Sequence, residues 1–191
     1  HLFDKEQIMK LKKLVLPALC AMVLAVMLSA CGGQTPEEPV QENFGSLNSF
    51  SATTLDGQKF TQDNLKDYDV TIINYWKTYC EPCKKEMPAM EEYRKSLPSN
   101  VQLIMVCADG VEEEQAMRDV VKQTGYTGTV LYNPEGDLAT VLTSGKIQYV
   151  PTTAFYDSEG NQVGGALVSQ TEDFNTRYGN ELNSILASMG K

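Results

Sequence analysis

Two cysteines two residues apart, Cys80 and Cys83, stand where an apolar run, Val70 to Tyr75, gives way to a helical pattern that begins at Glu81. With Cys80 ahead of the helix and Cys83 in its first turn, both sulfurs lie near unpaired amide N–H groups and the positive end of the helix dipole. That position favours thiolate over thiol. It lowers a cysteine pKa from about 8.5 into the range of about 3.5 to 7.5, low enough for a nucleophile near neutral pH. The spacing also lets the two sulfurs close on each other. Pro82 suits the opening turn, where its missing N–H has no helical partner to lose. Glu86 follows Cys83 by about one helical turn. A carboxylate there raises thiol pKa values by like-charge repulsion and can relay a proton, or it is a solvated surface residue.

Around the pair, Tyr75-Trp76-Lys77-Thr78-Tyr79-Cys80-Glu81-Pro82-Cys83-Lys84-Lys85-Glu86-Met87-Pro88 resembles the active-site stretch of the TlpA/ResA kind of membrane-tethered, thioredoxin-like thiol-disulfide oxidoreductases, in their bacterial lipoprotein form. Val150-Pro151-Thr152-Thr153-Ala154-Phe155 resembles that family's cis-proline loop and the strand after it. Without the resemblance, Pro151 reads as an ordinary proline at the start of a strand, since X-Pro bonds are cis in only about 5% of folded cases. With it, Pro151 is expected cis, its loop against the redox pair, and Val150 is expected to offer backbone hydrogen bonds to a bound peptide. The resemblance further implies that Cys80 attacks a partner's disulfide and that Cys83 resolves the mixed disulfide. Glu86 matches the glutamate of the family's Cys-Lys-Lys-Glu. Tyr79 stands where the family usually has tryptophan, a difference that bears on substrate preference rather than chemistry. Trp76 and Tyr79 are expected to form an apolar shelf beside the disulfide, with plain core packing as the alternative, and Glu81 and Pro82 to complete the substrate-facing surface.

The rest of the chain narrows the alternatives. The only histidine is His1, which removes Cys-His nucleophile pairs, histidine metal sites and Ser-His-Asp triads from the folded part. Zinc at Cys80 and Cys83 would need two more ligands, and only Cys107 and carboxylates remain. Cys107, at the end of an apolar strand, reads as a small buried hydrophobe or a third redox thiol. No metal and no cofactor is called for beyond the Cys80–Cys83 pair itself. The reading is a disulfide reductase, with a disulfide oxidant of the same fold as the alternative; readings from other classes are a thioredoxin-fold metallochaperone and a non-catalytic peptide-binding lipoprotein, and a peroxiredoxin is disfavoured because its Pro-X-X-X-Thr pattern before the peroxidatic cysteine is absent.

Residues 1–8 precede Met9 and read as an upstream extension. Residues 9–30 carry Lys10, Lys12 and Lys13, an apolar stretch from Leu14 to Leu28, and Ser29-Ala30, which is the pattern of an export signal. Leu28-Ser29-Ala30-Cys31 resembles a lipobox, with Cys31 as the lipid-attachment residue. Residues 31–46, with Pro36, Glu37, Glu38 and Pro39, read as a flexible tether, and residues 47–191 as the thioredoxin-like domain. Of 16 basic and 25 acidic residues, four lysines but only Asp4 and Glu6 fall in the first 30, so the remainder is more acidic than the net −9 of the whole chain. Nucleic acid and anionic lipid are poor partners for it. The expected partners are exported disulfide-containing proteins and a membrane electron-transfer protein as reductant, with the membrane held through the lipid; a monomer on the extracytoplasmic face of a bacterial membrane is expected.

The 191 residues suffice for one domain plus appendages. Asp56-Gly57 between two extended segments predicts a hairpin over Phe50 to Phe60. Strands are expected at Val70–Tyr75, Val101–Cys107, Thr129–Tyr132, Thr152–Asp157 and Gln162–Val168. Helices are expected from Glu81, kinked at Pro88; over a segment with Glu112, Glu113 and Glu114 in its first turn, stopped at Gly125; over Leu138–Leu142; and from a capping box at Ser169-Gln170-Thr171-Glu172. Strands alternating with helices give an α/β class with a central mixed sheet flanked by helices; the resemblance implies that this is a thioredoxin-like fold with an added N-terminal β-hairpin.

Overall fold

The computed structural model describes residues 42–168, 171 and 173–191. The upstream extension, the export signal, Cys31 and the tether as far as residue 41 lie outside them, as do Ser169, Gln170 and Glu172 of the expected capping box. In chain order the elements are β1 (Phe50–Thr54), β2 (Lys59–Thr61), a 3-10 turn (Gln62–Leu65), β3 (Val70–Trp76), α1 (Glu81–Ser96), β4 (Val101–Cys107), α2 (Glu114–Thr124), β5 (Val130–Gly136), α3 (Asp137–Thr143), β6 (Thr152–Asp157), β7 (Gln162–Val168) and α4 (Phe174–Ser188).

The seven strands form one sheet in the order β2-β1-β5-β4-β3-β6-β7. β3 runs parallel to β4 from Val70 opposite Val101 to Trp76 opposite Cys107, and β4 parallel to β5. β6, β7, β1 and β2 join antiparallel, so the expected mixed sheet and hairpin are found. β3 is buried at every position, which is why it reads as an apolar run rather than an alternation. Its side chains divide between two cores. Val70, Ile72 and Trp76 face α1, α2 and α4; Ile73 and Tyr75 face the side covered by α3 and the N-terminal segment. β3 and β4 end together, and β6 starts beside that end with Thr152 opposite Tyr75. The loops after β3 and β4 and the loop before β6 therefore meet at one end of the sheet.

Several boundaries differ from expectation for identifiable reasons. β5 extends to Gly136 because β1 pairs with its polar second half, Phe50 opposite Gly136 and Ser51 opposite Glu135; backbone pairing of that kind leaves no hydrophobic signature. α2 starts at Glu114, leaving Glu112 and Glu113 outside, since the chain first makes a turn closed by Glu113 N–H on the Asp109 carbonyl. α4 starts at Phe174, capped by Asp173, whose side chain accepts from Thr176 N–H at 3.0 Å. α1 is continuous through Pro88. The folded part also begins before Leu47, within the expected tether. Phe44 is buried edge-on against Tyr75, and its N–H donates to Gln162 Oε1 at 2.7 Å while Gln162 Nε2 donates to the Glu42 carbonyl. One aromatic in a polar stretch, together with the Gln162 hydrogen bonds on either side of it, docks the segment. Gly164 and Gly165 lie in the expected bulge of β7. Among the described residues no helix is long and apolar enough to cross a membrane.

Candidate active site

Cys80 is the N-cap residue of α1, and its Sγ accepts the Cys83 N–H at 3.2 Å. The two cysteines are joined in a disulfide with Cα atoms 5.3 Å apart. Cys83 is held in the first turn under the cap, so it is 1% exposed against 6% for Cys80, and the outer sulfur is the first one, as expected. The strand-to-helix junction is what produces this geometry. β3 stops at Trp76, a short turn follows, and Pro82 opens the helix without losing a bond.

The peptide bond between Val150 and Pro151 is cis. Pro151 is buried and Val150 half-buried, and the Val150 carbonyl oxygen lies 3.5 Å from Cys80 Sγ. The two motifs, about seventy residues apart in sequence, therefore meet at the sulfur. A cleft of about 280 Å³ beside them is lined by Tyr75, Lys77, Tyr79, Leu142, Tyr149 and Val150, among others. A larger cleft, about 660 Å³, lies at the other end of the sheet between the β1–β2 hairpin and Tyr126–Val130, away from the cysteines.

Trp76 does not form part of an exposed shelf. As the last residue of β3 it points to the face covered by α1, is fully buried, and packs in the same core as both cysteines. Tyr79 alone supplies the exposed apolar surface expected of the pair, at 69% exposure, with Lys77 Nζ 5.7 Å from its ring centre. Glu81 and Pro82 are exposed, and Glu81 is held by Lys84 at 2.7 Å, whose hydrogen bond lowers the carboxyl pKa.

Glu86 is not a surface residue. It is fully buried on the inner face of α1, where Oε1 accepts from Asn74 Nδ2 at 3.2 Å and Oε2 from Thr171 N–H at 3.3 Å. Burial pushes its pKa up to about 8, against the opposing pull of those two donors and of Arg177. The carboxyl group is therefore mostly neutral at pH 7, one helical turn from Cys83. Asn74 also donates to Thr153 Oγ1 at 3.0 Å, and Thr153 shares a hydrogen bond with Tyr178 at 2.8 Å. The sequence reading passed over Asn74 and Thr153. Their signal was a polar residue inside a strand buried on both faces. Cys107 is buried, and burial pushes its thiol pKa far up, with Asp109 adding to the shift. Among the described residues no group of three or more His, Cys, Asp or Glu is placed to hold a metal ion.

A buried acid under a nearly buried disulfide at a helix N-terminus, with a cis proline against the outer sulfur, is suited to thiol-disulfide exchange. Comparison with known proteins agrees. The AhpC/TSA family pattern matches residues 46–162, a span containing both cysteines and Pro151. The chain is 30% identical over 168 residues to the thiol-disulfide oxidoreductase ResA of Bacillus thuringiensis subsp. konkukian, covering 86% of this chain and 94% of ResA. The structure of MTB DsbF shares 25% identity with a TM-score of 0.56, covering 73% of this chain and 96% of that one. The exposed lipoprotein thioredoxin Etrx1 of Streptococcus pneumoniae has the same fold at 22% identity, with a TM-score of 0.56 over 73% and 98% of the two chains. Sequence, fold and site together place this chain in the AhpC/TSA family, among the ResA-like thiol-disulfide oxidoreductases of thioredoxin fold.

Proposed function

We propose that this oxidoreductase is a lipid-anchored, extracytoplasmic reductase of disulfides in exported proteins, with Cys80 as attacking sulfur, Cys83 as resolving sulfur and Glu86 as proton relay. The observation that carries the reading is the fully buried Glu86, its pKa pushed up by that burial, one turn beyond a disulfide whose outer sulfur touches the Val150–Pro151 loop. A membrane electron donor attacks Cys80, Cys83 leaves as thiolate, and Glu86 supplies its proton; a second donor thiol then frees Cys80 as thiolate. In the return half, the Cys80 thiolate attacks a client disulfide and expels one client thiolate. Glu86, now a carboxylate, takes the proton back from Cys83. Cys83 attacks Cys80, the second client thiolate leaves, and two electrons have passed from the pair to the client.

The anchor and the compartment rest on the export pattern and on Leu28-Ser29-Ala30-Cys31. Two or more acyl chains on Cys31 hold a protein stably at a membrane, where one does not. Val150, with Tyr79, Glu81 and Pro82, presents the client-facing surface over the buried Pro151. Candidate clients are apocytochrome c with its haem-binding thiols and a methionine sulfoxide reductase. The test is the reduction potential of the Cys80–Cys83 pair, read in a Cys107→Ser chain from the fluorescence of Trp76, the only tryptophan. A value near about −270 mV, the thioredoxin side of the scale, is expected. A value near about −120 mV would make the protein an oxidant and overturn the direction assigned here.

A further inference from the structure

The loop that delivers Cys80 to its helix is Lys77-Thr78-Tyr79, closed as a turn by the Cys80 N–H on the Lys77 carbonyl at 3.1 Å. Of these three residues Tyr79 is exposed, Lys77 half-buried and Thr78 buried. Thr78 is the loop's anchor, and what it is anchored to is Asp109, two residues beyond the end of β4. The Thr78 N–H is shared between Asp109 Oδ1 and Oδ2 at 3.0 and 3.1 Å, and its hydroxyl donates to Oδ2 at 2.7 Å. Behind the carboxylate, the Cys107 thiol donates to Oδ1 at 3.2 Å. The neighbouring backbone is held too: Ala108 N–H donates to the Trp76 carbonyl at 2.9 Å, continuing the β3–β4 ladder, and the Asp109 carbonyl accepts from Glu113 N–H at 3.0 Å.

We propose that Asp109, steadied by the Cys107 thiol, is a positioning residue for the redox pair: its carboxylate clamps Thr78 and thereby fixes Cys80 at the N-cap of α1. The inference rests on the Cys80–Cys83 pair being the redox centre and adds nothing to the choice of client. Hydrogen bonds to a carboxylate are the stronger kind, and both donors of Thr78, the N–H shared between the two oxygens and the hydroxyl, converge here on one. The reduced form benefits from this. A Cys80 thiolate keeps the Cys83 N–H and the positive end of the helix only while its backbone stays at the cap. Stabilising that thiolate stabilises the dithiol form and makes the pair a weaker reductant than it would otherwise be. Cys107 then has a task that needs no redox cycle. A thiol that burial keeps protonated is a permanent donor to Asp109.

The direction of the effect separates a clamp from a mere charge. A carboxylate near thiols raises their pKa, so deleting a bare charge would lower the Cys80 pKa. Deleting a clamp raises it, because the thiolate loses its cap. Glu81, Lys77, Lys84 and Glu86 are present in every variant compared, so their fields cancel.

The experiment measures, in the full chain, the reduction potential from Trp76 fluorescence and the Cys80 pKa from the pH dependence of alkylation, for Thr78→Ala, Thr78→Ser, Asp109→Asn, Cys107→Ala and Cys107→Ser. Thr78→Ala and Asp109→Asn are expected to shift the thiol-disulfide equilibrium toward the disulfide by about tenfold, which is about 30 mV for this two-electron couple, and to raise the Cys80 pKa. Thr78→Ser and Cys107→Ser, which keep their donors, are expected to stay within about twofold of the parent. Cys107→Ala should move in the same direction as Asp109→Asn, by less. If Thr78→Ala leaves both quantities unchanged, or Asp109→Asn lowers the Cys80 pKa, the clamp is refuted. If instead the parent chain shows no reversible couple, it is the redox assignment that fails, not the clamp alone.

Discussion

At the scale of single residues, Glu86 is the group whose environment departs furthest from what its type suggests. A carboxyl withdrawn from water favours its neutral form, and here burial raises the pKa from 4.5 to about 8 even with Asn74 and Thr171 donating to it. Folding therefore takes up a proton at Glu86 over the pH range between those values. The contribution to stability is complete below about pH 4.5 and is lost as pH rises through about 8. Glu86→Gln, which keeps shape and burial but cannot ionise, is expected to gain in melting temperature relative to the parent as pH rises from 5 to 9. In thiol exchange the same substitution should slow turnover by about a hundredfold and remove the inflection near pH 8 from the pH-rate profile. A variant with an unaltered profile would mean that Glu86 is buried without taking part in proton transfer. The two cysteines were legible because their type and spacing carry chemistry; Pro151 was legible only through the family resemblance, and Glu86 through that resemblance and its place one turn beyond Cys83. Asn74, Thr153 and Asp109 were not, because an amide, a hydroxyl or a carboxylate gains its role only from what the fold sets opposite it.

At the scale of elements, the spans fixed by apolar runs matched the structure: β3 within one residue, and β4, β6 and β7 at both ends. Those fixed by pairing or capping shifted. β5 lengthened because β1 hydrogen-bonds to Glu135 and Gly136 regardless of their side chains, and α4 took Asp173 as its cap. Gly164 shows the same kind of tertiary constraint at one position. Its φ is +66°, and a Cβ there would lie 2.3 Å from Glu181 Oε1 and 2.7 Å from Ile185 Cδ1 on α4. Glu181 Oε1 meanwhile accepts the Gly165 N–H at 2.6 Å, joining helix to bulge. Gly164→Ala is expected to cost about 1–3 kcal/mol through backbone strain and the displaced helix, read by urea denaturation. Asp173→Ala should cost about 1 kcal/mol through the lost cap.

At the scale of the whole molecule, the α/β class followed from alternating strands and helices and the thioredoxin-like fold from the resemblance, whereas the start of the folded part depended on a contact invisible in composition. Phe44 sits in a stretch whose polar content signals a tether, yet it fills a place beside Tyr75 in the α3-side core. Phe44→Ala is expected to destabilise the fold by about 3–5 kcal/mol, measured by chemical denaturation. A chain beginning at Leu47 should be weakened at least as much, because it also loses the Gln162 bonds to Phe44 and Glu42.

The near-complete burial of both sulfurs governs which molecules can exchange electrons with the pair at all. A small diffusing thiol such as glutathione meets a disulfide whose cysteines are only 6% and 1% exposed, with the Val150 carbonyl 3.5 Å from the outer sulfur. It gains little by colliding there. A protein that lies across Tyr79 and Tyr149, both exposed beside the sulfur, gains contact area that orients its own cysteine for in-line attack. The pair is therefore expected to exchange more slowly with a dissolved thiol than with a partner that docks, read by comparing the rate of its reduction by glutathione with that by a protein dithiol.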